Sequence, residues 1–203
     1  MRQRAGCVLD LASIDDPDCL ALLRKYEAAG IAVRVWDITS DIGIAAFLCE
    51  IRDVTWDYPL LPSRFHGSGC HSDRGIALSR ALTEAAQTRL TYIAGIRDDL
   101  SPAEYEAPPH DDIRNALLDA LAREMPGRSF AAASSFAADD LTEDLRWALA
   151  QLEKVGIERV VAIDLTRPEF DIPVVRLVIP GLEWDPHHPN YQPGKRAQVM
   201  AAR

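Results

Sequence analysis

The residues best placed to do chemistry lie between Phe65 and Thr91. Phe65-His66-Gly67-Ser68-Gly69-Cys70-His71-Ser72-Asp73 puts two glycines ahead of a helix start capped by Ser72 or Asp73. A glycine-bearing loop feeding a helix can turn backbone N–H groups toward an anion, and the helix dipole favours negative charge there. Gly-Ser-Gly matches neither the Walker pattern nor the Rossmann fingerprint. The plainer alternative is a flexible turn before a capped helix. On the helix, Arg80, Glu84, Gln87 and Thr91 follow at i, i+4, i+7 and i+11, which makes one polar stripe on an alanine-rich surface. Arg80 and Glu84 can pair, in the less favourable order. A solvated pair of this kind is worth a few tenths of a kcal/mol. The chemical alternative is a guanidinium set for phosphate and a carboxylate set for a metal or a ribose hydroxyl.

His66, Cys70 and His71 are close in sequence, but the histidines are five apart and no fourth ligand is regularly spaced from them. No metal site is expected there. Of Cys7, Cys19, Cys49 and Cys70, none forms C-x-x-C and three sit in apolar patterns. That usage fits a reduced, cytoplasmic protein with buried thiols.

These residues need a frame. A chain of 203 residues buries roughly 70% of its unfolded surface and needs no disulfide or metal staple to fold. Apolar residues are 48% and charged residues 26% of the chain, as in soluble globular proteins. The formal charge of −9 argues against nucleic-acid or anionic-membrane partners. No apolar run reaches the roughly 18 residues of a membrane span. Asp10 arrives before any signal-peptide core forms.

Residues 7–11 read as a short strand. Asp15-Asp16-Pro17 starts a helix that Gly30 ends. Residues 31–36 and 44–54 read as strands, and 55–70 as a loop carrying Pro59, Pro62, Gly67 and Gly69. The longest helix is expected over 73–93, closed by Gly95. A loop over 101–112 leads to helices over 112–124 and 139–155. Strands are expected over 159–163 and 174–179, and an irregular tail rich in Pro and Gly over 180–203. This alternation predicts a layered sheet with packed helices, α/β or its α+β variant, in one domain.

Gly67-Ser68-Gly69-Cys70-His71-Ser72-Asp73, followed by Arg80-Ala81-Leu82-Thr83-Glu84-Ala85-Ala86-Gln87-Thr88-Arg89-Leu90 and by Gly95-Ile96-Arg97-Asp98-Asp99, resembles the YcaO family. Asp164-Leu165-Thr166-Arg167-Pro168-Glu169, Ile172-Pro173-Val174-Val175-Arg176, Pro180-Gly181-Leu182-Glu183 and Tyr191-Gln192-Pro193-Gly194-Lys195-Arg196-Ala197 look like that family's C-terminal core and tail. The resemblance implies ATP and magnesium as cofactors. It implies phosphorylation of a backbone amide oxygen in a peptide substrate, leading to a thioamide or an azoline. The variety most resembled is the one associated with a TfuA-like partner and thioamidation. Carried over by position, Arg80 and Glu84 contact the nucleotide, while Gln87 and Arg89 match the pattern without an assigned contact. Pro186, Pro189 and Pro193 depart from the P-x-P-x-P tail of cyclising members.

Family members are about twice as long, and their N-terminal half carries two further glutamate-rich helical motifs that this chain lacks. The resemblance therefore makes residues 1–203 a C-terminal half-domain. Such a half is expected to bind ATP–magnesium weakly alone, to need a missing N-terminal half or a TfuA-like protein, and to form a homo-oligomer through uncovered apolar surface.

Overall fold

The computed structural model describes residues 7–53, 64–95, 127–183 and 190–201. The expected helix over 112–124, the loop over 101–112 and residues 96–99 lie outside the described residues. The chain forms two compact units, Ala5–Leu145 and one that begins at Arg146.

In the first unit the helix signals act where the sequence puts them. Asp16 caps α1 (Pro17–Ala28) by accepting the Cys19 N–H at 2.8 Å, and Pro17 fills the first turn. Gly30, at φ +68°, lets the chain reverse into β2 (Ile31–Asp37). β2 pairs antiparallel with β3 (Ala45–Asp53), and β3 pairs antiparallel with β4 (Arg64–His71). β1 (Cys7–Val8) lies on the other side of β2, giving the order β1-β2-β3-β4. The expected strand over 7–11 is shorter because Asp10 accepts the Ala12 N–H and starts a 3-10 turn at Leu11–Ser13.

α2 (Arg74–Ala94) starts at its cap Asp73 and ends at Gly95, which takes the left-handed conformation. Val35, Phe47, Cys49, Ile51 and Phe65 alternate along three strands and meet Cys19 of α1 and Ala77, Leu78, Ala81, Leu82 and Ala85 of α2. Tyr26 fastens the helices together by donating its hydroxyl to the Leu82 carbonyl at 2.6 Å. The layered sheet with packed helices is thus present. Antiparallel pairing with α1 and α2 on one face is its α+β form.

The largest departure from the sequence reading is β4. Half of the expected 55–70 loop is strand, because strand propensity is low in Gly67-Ser68-Gly69 and only the helix packed above it explains those glycines.

The second unit holds most of α3 (Leu141–Lys154), then β5 (Val161–Asp164) paired antiparallel with β6 (Val175–Val178), and α4 (Lys195–Ala201). Asp164 accepts the Thr166 N–H at 2.8 Å, and Thr166 Oγ1 accepts the Val174 N–H at 3.1 Å, which shapes the turn between the strands. The tail is not irregular throughout. Pro193-Gly194 ends the extended segment, and the helix formers after it close α4. No helix among the described residues is long and apolar enough to cross a membrane.

Candidate functional site

Gly67 and Gly69 face α2. A Cβ on either would fall closer than 3.0 Å to the helix backbone at Ala77, Ala81, Glu84 or Ala85. The glycines therefore serve close approach, not a flexible turn. Small residues on both sides, with Ala77, Ala81 and Ala85 fully buried, let the helix lie directly on the strand.

This corrects the anion-loop reading. The α2 N-terminus already has partners. Asp73 Oδ1 accepts the Ile76 N–H at 2.9 Å, so Asp73 rather than Ser72 is the cap. Ser135 accepts the Arg74 N–H at 3.2 Å and donates to Asp73 Oδ2 at 3.1 Å. Two of the orphan donors, on Arg74 and Ile76, are answered inside the protein, and the Asp73 carboxylate faces the positive end of the dipole.

Close packing sets the position of the polar stripe. Arg80, Glu84 and Gln87 are exposed on α2, alongside β4, the last strand of the four-stranded sheet. Among the described residues neither Arg80 nor Glu84 is in an ion pair, so the i, i+4 bridge the spacing permits is not made. Ser68 donates to Glu84 Oε1 over a long 3.5 Å. Cys70 lies at the surface beside them. Lost hydration pushes its thiol pKa up, against the pull of the Arg80 charge. Thr91 turns its hydroxyl back to the Gln87 carbonyl at 2.9 Å. Arg89, outside the stripe, pairs with Asp53 at the end of β3, at 3.1 Å.

Strand geometry separates His71 from His66 and Cys70. His66 and Cys70 alternate with Gly67 and Gly69, and Cys70, on the open edge of the sheet, stays within reach of the Arg80 charge. His71 faces the other way and accepts the Asp73 N–H at 3.0 Å. Among the described residues no three His, Cys, Asp or Glu side chains form a group able to hold a metal ion. Cys19 and Cys49 are buried, and burial pushes both thiols up to about 12. Cys70 is exposed, against the expectation of buried thiols.

A polar cluster on the sheet face away from the helices escaped the sequence reading. Glu50 of β3 lies directly between Arg34 of β2 and His66 of β4. Its carboxylate is 5% exposed and meets Arg64 and His66 at 3.4 Å and Arg34 at 4.0 Å. Burial pushes its pKa up, but the close approach of His66 and the charges of Arg64 and Arg34 outweigh burial and hold it below the usual range. The available signal was one glutamate inside the apolar 44–54 run.

In the second unit, a cavity of about 730 Å³ is lined by Ile157, Leu182, Glu183, Tyr191 and Lys195 among others. Glu183 accepts the Tyr191 hydroxyl at 2.8 Å and the Gly194 N–H at 3.1 Å, and both bonds lower its pKa. Two sequence stretches, 180–183 and 191–197, thus meet through one carboxylate.

The family model described as YcaO cyclodehydratase, ATP- and Mg2+-binding, matches residues 1–183. The chain belongs to the YcaO family. A Rhizobium leguminosarum bv. trifolii protein from the tfuA 3′ region is 33% identical over 197 residues, covering 93% of this chain and 46% of the relative. A Methanothermobacter thermautotrophicus protein is 35% identical over 191 residues, covering 86% and 45%. The chain thus spans about half the length of the curated relatives it matches. Among solved YcaO structures, that from Methanopyrus kandleri bound with AMPPCP and Mg2+ has a TM-score of 0.64 at 21% identity, over 88% of this chain and 46% of that one. The heterocyclase TruD gives 0.63 at 24% identity, over 88% of this chain and 24% of that one. These likenesses establish a shared fold.

Proposed function

We propose that this chain is the C-terminal half-domain of an ATP- and magnesium-dependent YcaO enzyme that activates a backbone amide of a peptide. Thioamide or azoline formation follows that activation. One observation carries the reading. A cation and a carboxylate, Arg80 and Glu84, stand exposed and, among the described residues, outside any ion pair, one turn apart on a helix whose position is fixed by Gly67 and Gly69. A guanidinium left free this way fits a phosphate, and the carboxylate beside it fits magnesium or a ribose hydroxyl. ATP supplies the phosphoryl group that turns an amide oxygen, a poor leaving group, into a good one. The residues of this chain bind and orient, and no covalent enzyme nucleophile is required.

The family description as ATP- and Mg2+-binding supports the cofactors. The relative from the tfuA 3′ region supports a TfuA-like partner. The chain's half length relative to its matches supports dependence on the rest of a YcaO domain. It equally favours a second reading, a catalytically silent binding protein.

Reconstitution separates the two. The chain is combined with the part of a family member outside the match, and ATP hydrolysis is measured with candidate peptides. Glu84→Gln, which keeps shape and removes charge, is expected to lower the rate at least about tenfold, about 1.4 kcal/mol of transition-state stabilisation. An active pair indifferent to Glu84→Gln overturns the role given to Glu84. A pair that binds peptide without hydrolysis favours the silent protein.

A further inference from the structure

We propose that the outer edge of β4 is the docking strand for the peptide substrate, which adds to the sheet in extended form beside Arg80 and Glu84. This rests on the reading of the chain as part of a peptide-activating enzyme. All the residues involved belong to the unit Ala5–Leu145.

Backbone groups alternate in direction along a strand. The Ile38 N–H donates to the Ala46 carbonyl at 2.9 Å, so Ala46, Leu48, Glu50 and Arg52 turn their backbone groups toward β2. Phe47, Cys49 and Ile51 therefore turn theirs toward β4, where they meet Gly69, Gly67 and Phe65. That leaves the N–H and C=O groups of His66, Ser68 and Cys70 on the outer edge. Among the described residues these groups have no partner. Ser68 and Cys70 are exposed.

The two edges of this sheet differ. β1 is two residues long, and its far side is bonded by the chain itself. The Arg128 N–H donates to the Val8 carbonyl at 2.7 Å, and the Asp10 N–H to the Arg128 carbonyl at 2.9 Å. β4 is eight residues long, pairs with β3 residue for residue without a bulge, and carries neither Pro nor Lys. Short length, bulges, Pro and Lys are the devices that blunt an exposed edge.

Such an edge is recognised by another extended backbone, whose main-chain bonds supply the affinity. What borders the edge names the occupant. Ser68 Oγ lies 3.5 Å from Glu84 Oε1, and a Cβ on Gly69 would fall 2.9 Å from the Arg80 Cβ. A strand added outside β4 therefore runs along the cation and carboxylate proposed to hold ATP and magnesium. Alternate carbonyl oxygens of that strand bond β4, and the intervening ones point away and stay open to phosphorylation. The edge thus extends the peptide and sorts its amides into bound and reactive sets. A second copy is a poorer occupant, because it brings together two chains of charge −9.

The test uses the whole 203-residue chain and uncharged Gly-Thr repeats of about ten residues, with strand-favouring threonines. Each peptide carries one cysteine, activated as its mixed disulfide with thionitrobenzoate. N-methyl groups on alternate amides leave a single edge of the peptide able to pair. The Cys70 thiolate attacks the peptide sulfur, and coloured thionitrobenzoate leaves. A peptide residue bonded to β4 shares the face of the Cys70 side chain. Capture should be at least about tenfold faster with the cysteine among the unmethylated residues than among the methylated ones, because docking raises the effective concentration of the two sulfurs. Cys70→Ser should abolish capture. Ser68→Pro, whose lost N–H points outward, should slow it to the rate of the methylated positions. Equal rates at the two sets of positions, or a difference indifferent to Ser68→Pro, overturn the proposal. Capture blocked by the segment of the Rhizobium leguminosarum relative outside the match also overturns it and gives the edge to that polypeptide. Self-association that Ser68→Pro abolishes overturns it too, in favour of a second copy. Position-dependent capture in a reconstituted pair that hydrolyses no ATP overturns the enzymatic reading alone.

Discussion

Where α2 meets β4, the protein has removed side chains until two backbones nearly touch. Where β5 meets β6, all eight strand residues are exposed. The first contact is complete within the chain, with Ala77, Ala81 and Ala85 at 0% exposure. The second has kept its Val, Ile and Leu side chains and left them in water. Large apolar side chains favour a covered position by about 1.5–3 kcal/mol each. The difference teaches that stability and incompleteness are localised. The α2–β4 contact is filled by its own side chains, while the β5–β6 ribbon is held by strand pairing alone.

The sharpest way to break this contrast is Gly69→Ala. The added methyl would meet the backbone of Ala77 and Ala81, which no rotamer change can move aside. The expected loss is at least about 2 kcal/mol, read as a lower urea midpoint accompanied by faster amide exchange in α2. A neutral outcome would mean that the helix does not lie on the strand.

Glu50→Gln tests the other face of the same sheet. The folded pKa of Glu50 is held below 4.5, so its contribution is present above that pH and is lost as pH falls through the folded value. The variant should be less stable by about 1 kcal/mol at pH 7, a modest figure because Arg34 is partly exposed and screened. The gap should close as pH is lowered. Urea titrations at several pH values check both the size and the slope.

Leu177→Ser should do the least. Leu177 is 57% exposed, so stability of the chain alone should stay within about 0.5 kcal/mol. A loss above 1 kcal/mol in equilibrium unfolding would mean that the chain already covers its ribbon.

Some of this was legible in the residues, for definite reasons. α2 could be read because its limits are local chemistry: an Asp cap, a helical repeat and a closing Gly95. The Arg80–Glu84 stripe could be read because helical spacing alone puts both on one face. β4 could not be read, because glycine signals a loop unless the helix above it is known, and that contact is tertiary. Glu50 was hidden for a similar reason. Its partners Arg34 and His66 come from other strands, and only register brings them together. Arg89 matched a pattern without a role until Asp53 was found beside it. α4 was masked by the prolines that precede it.

The near-contact of α2 and β4 also has an evolutionary side. A larger residue at position 67 or 69 has no room unless the helix shifts outward. A helix shifted outward would leave voids against Cys49, Phe65 and Leu78, which share the same core. Gly67 and Gly69 therefore cannot take a side chain while α2 stays where it is. Arg80 and Glu84, carried between Ala77, Ala81 and Ala85, keep their bearing relative to β4 for as long as those two positions stay bare.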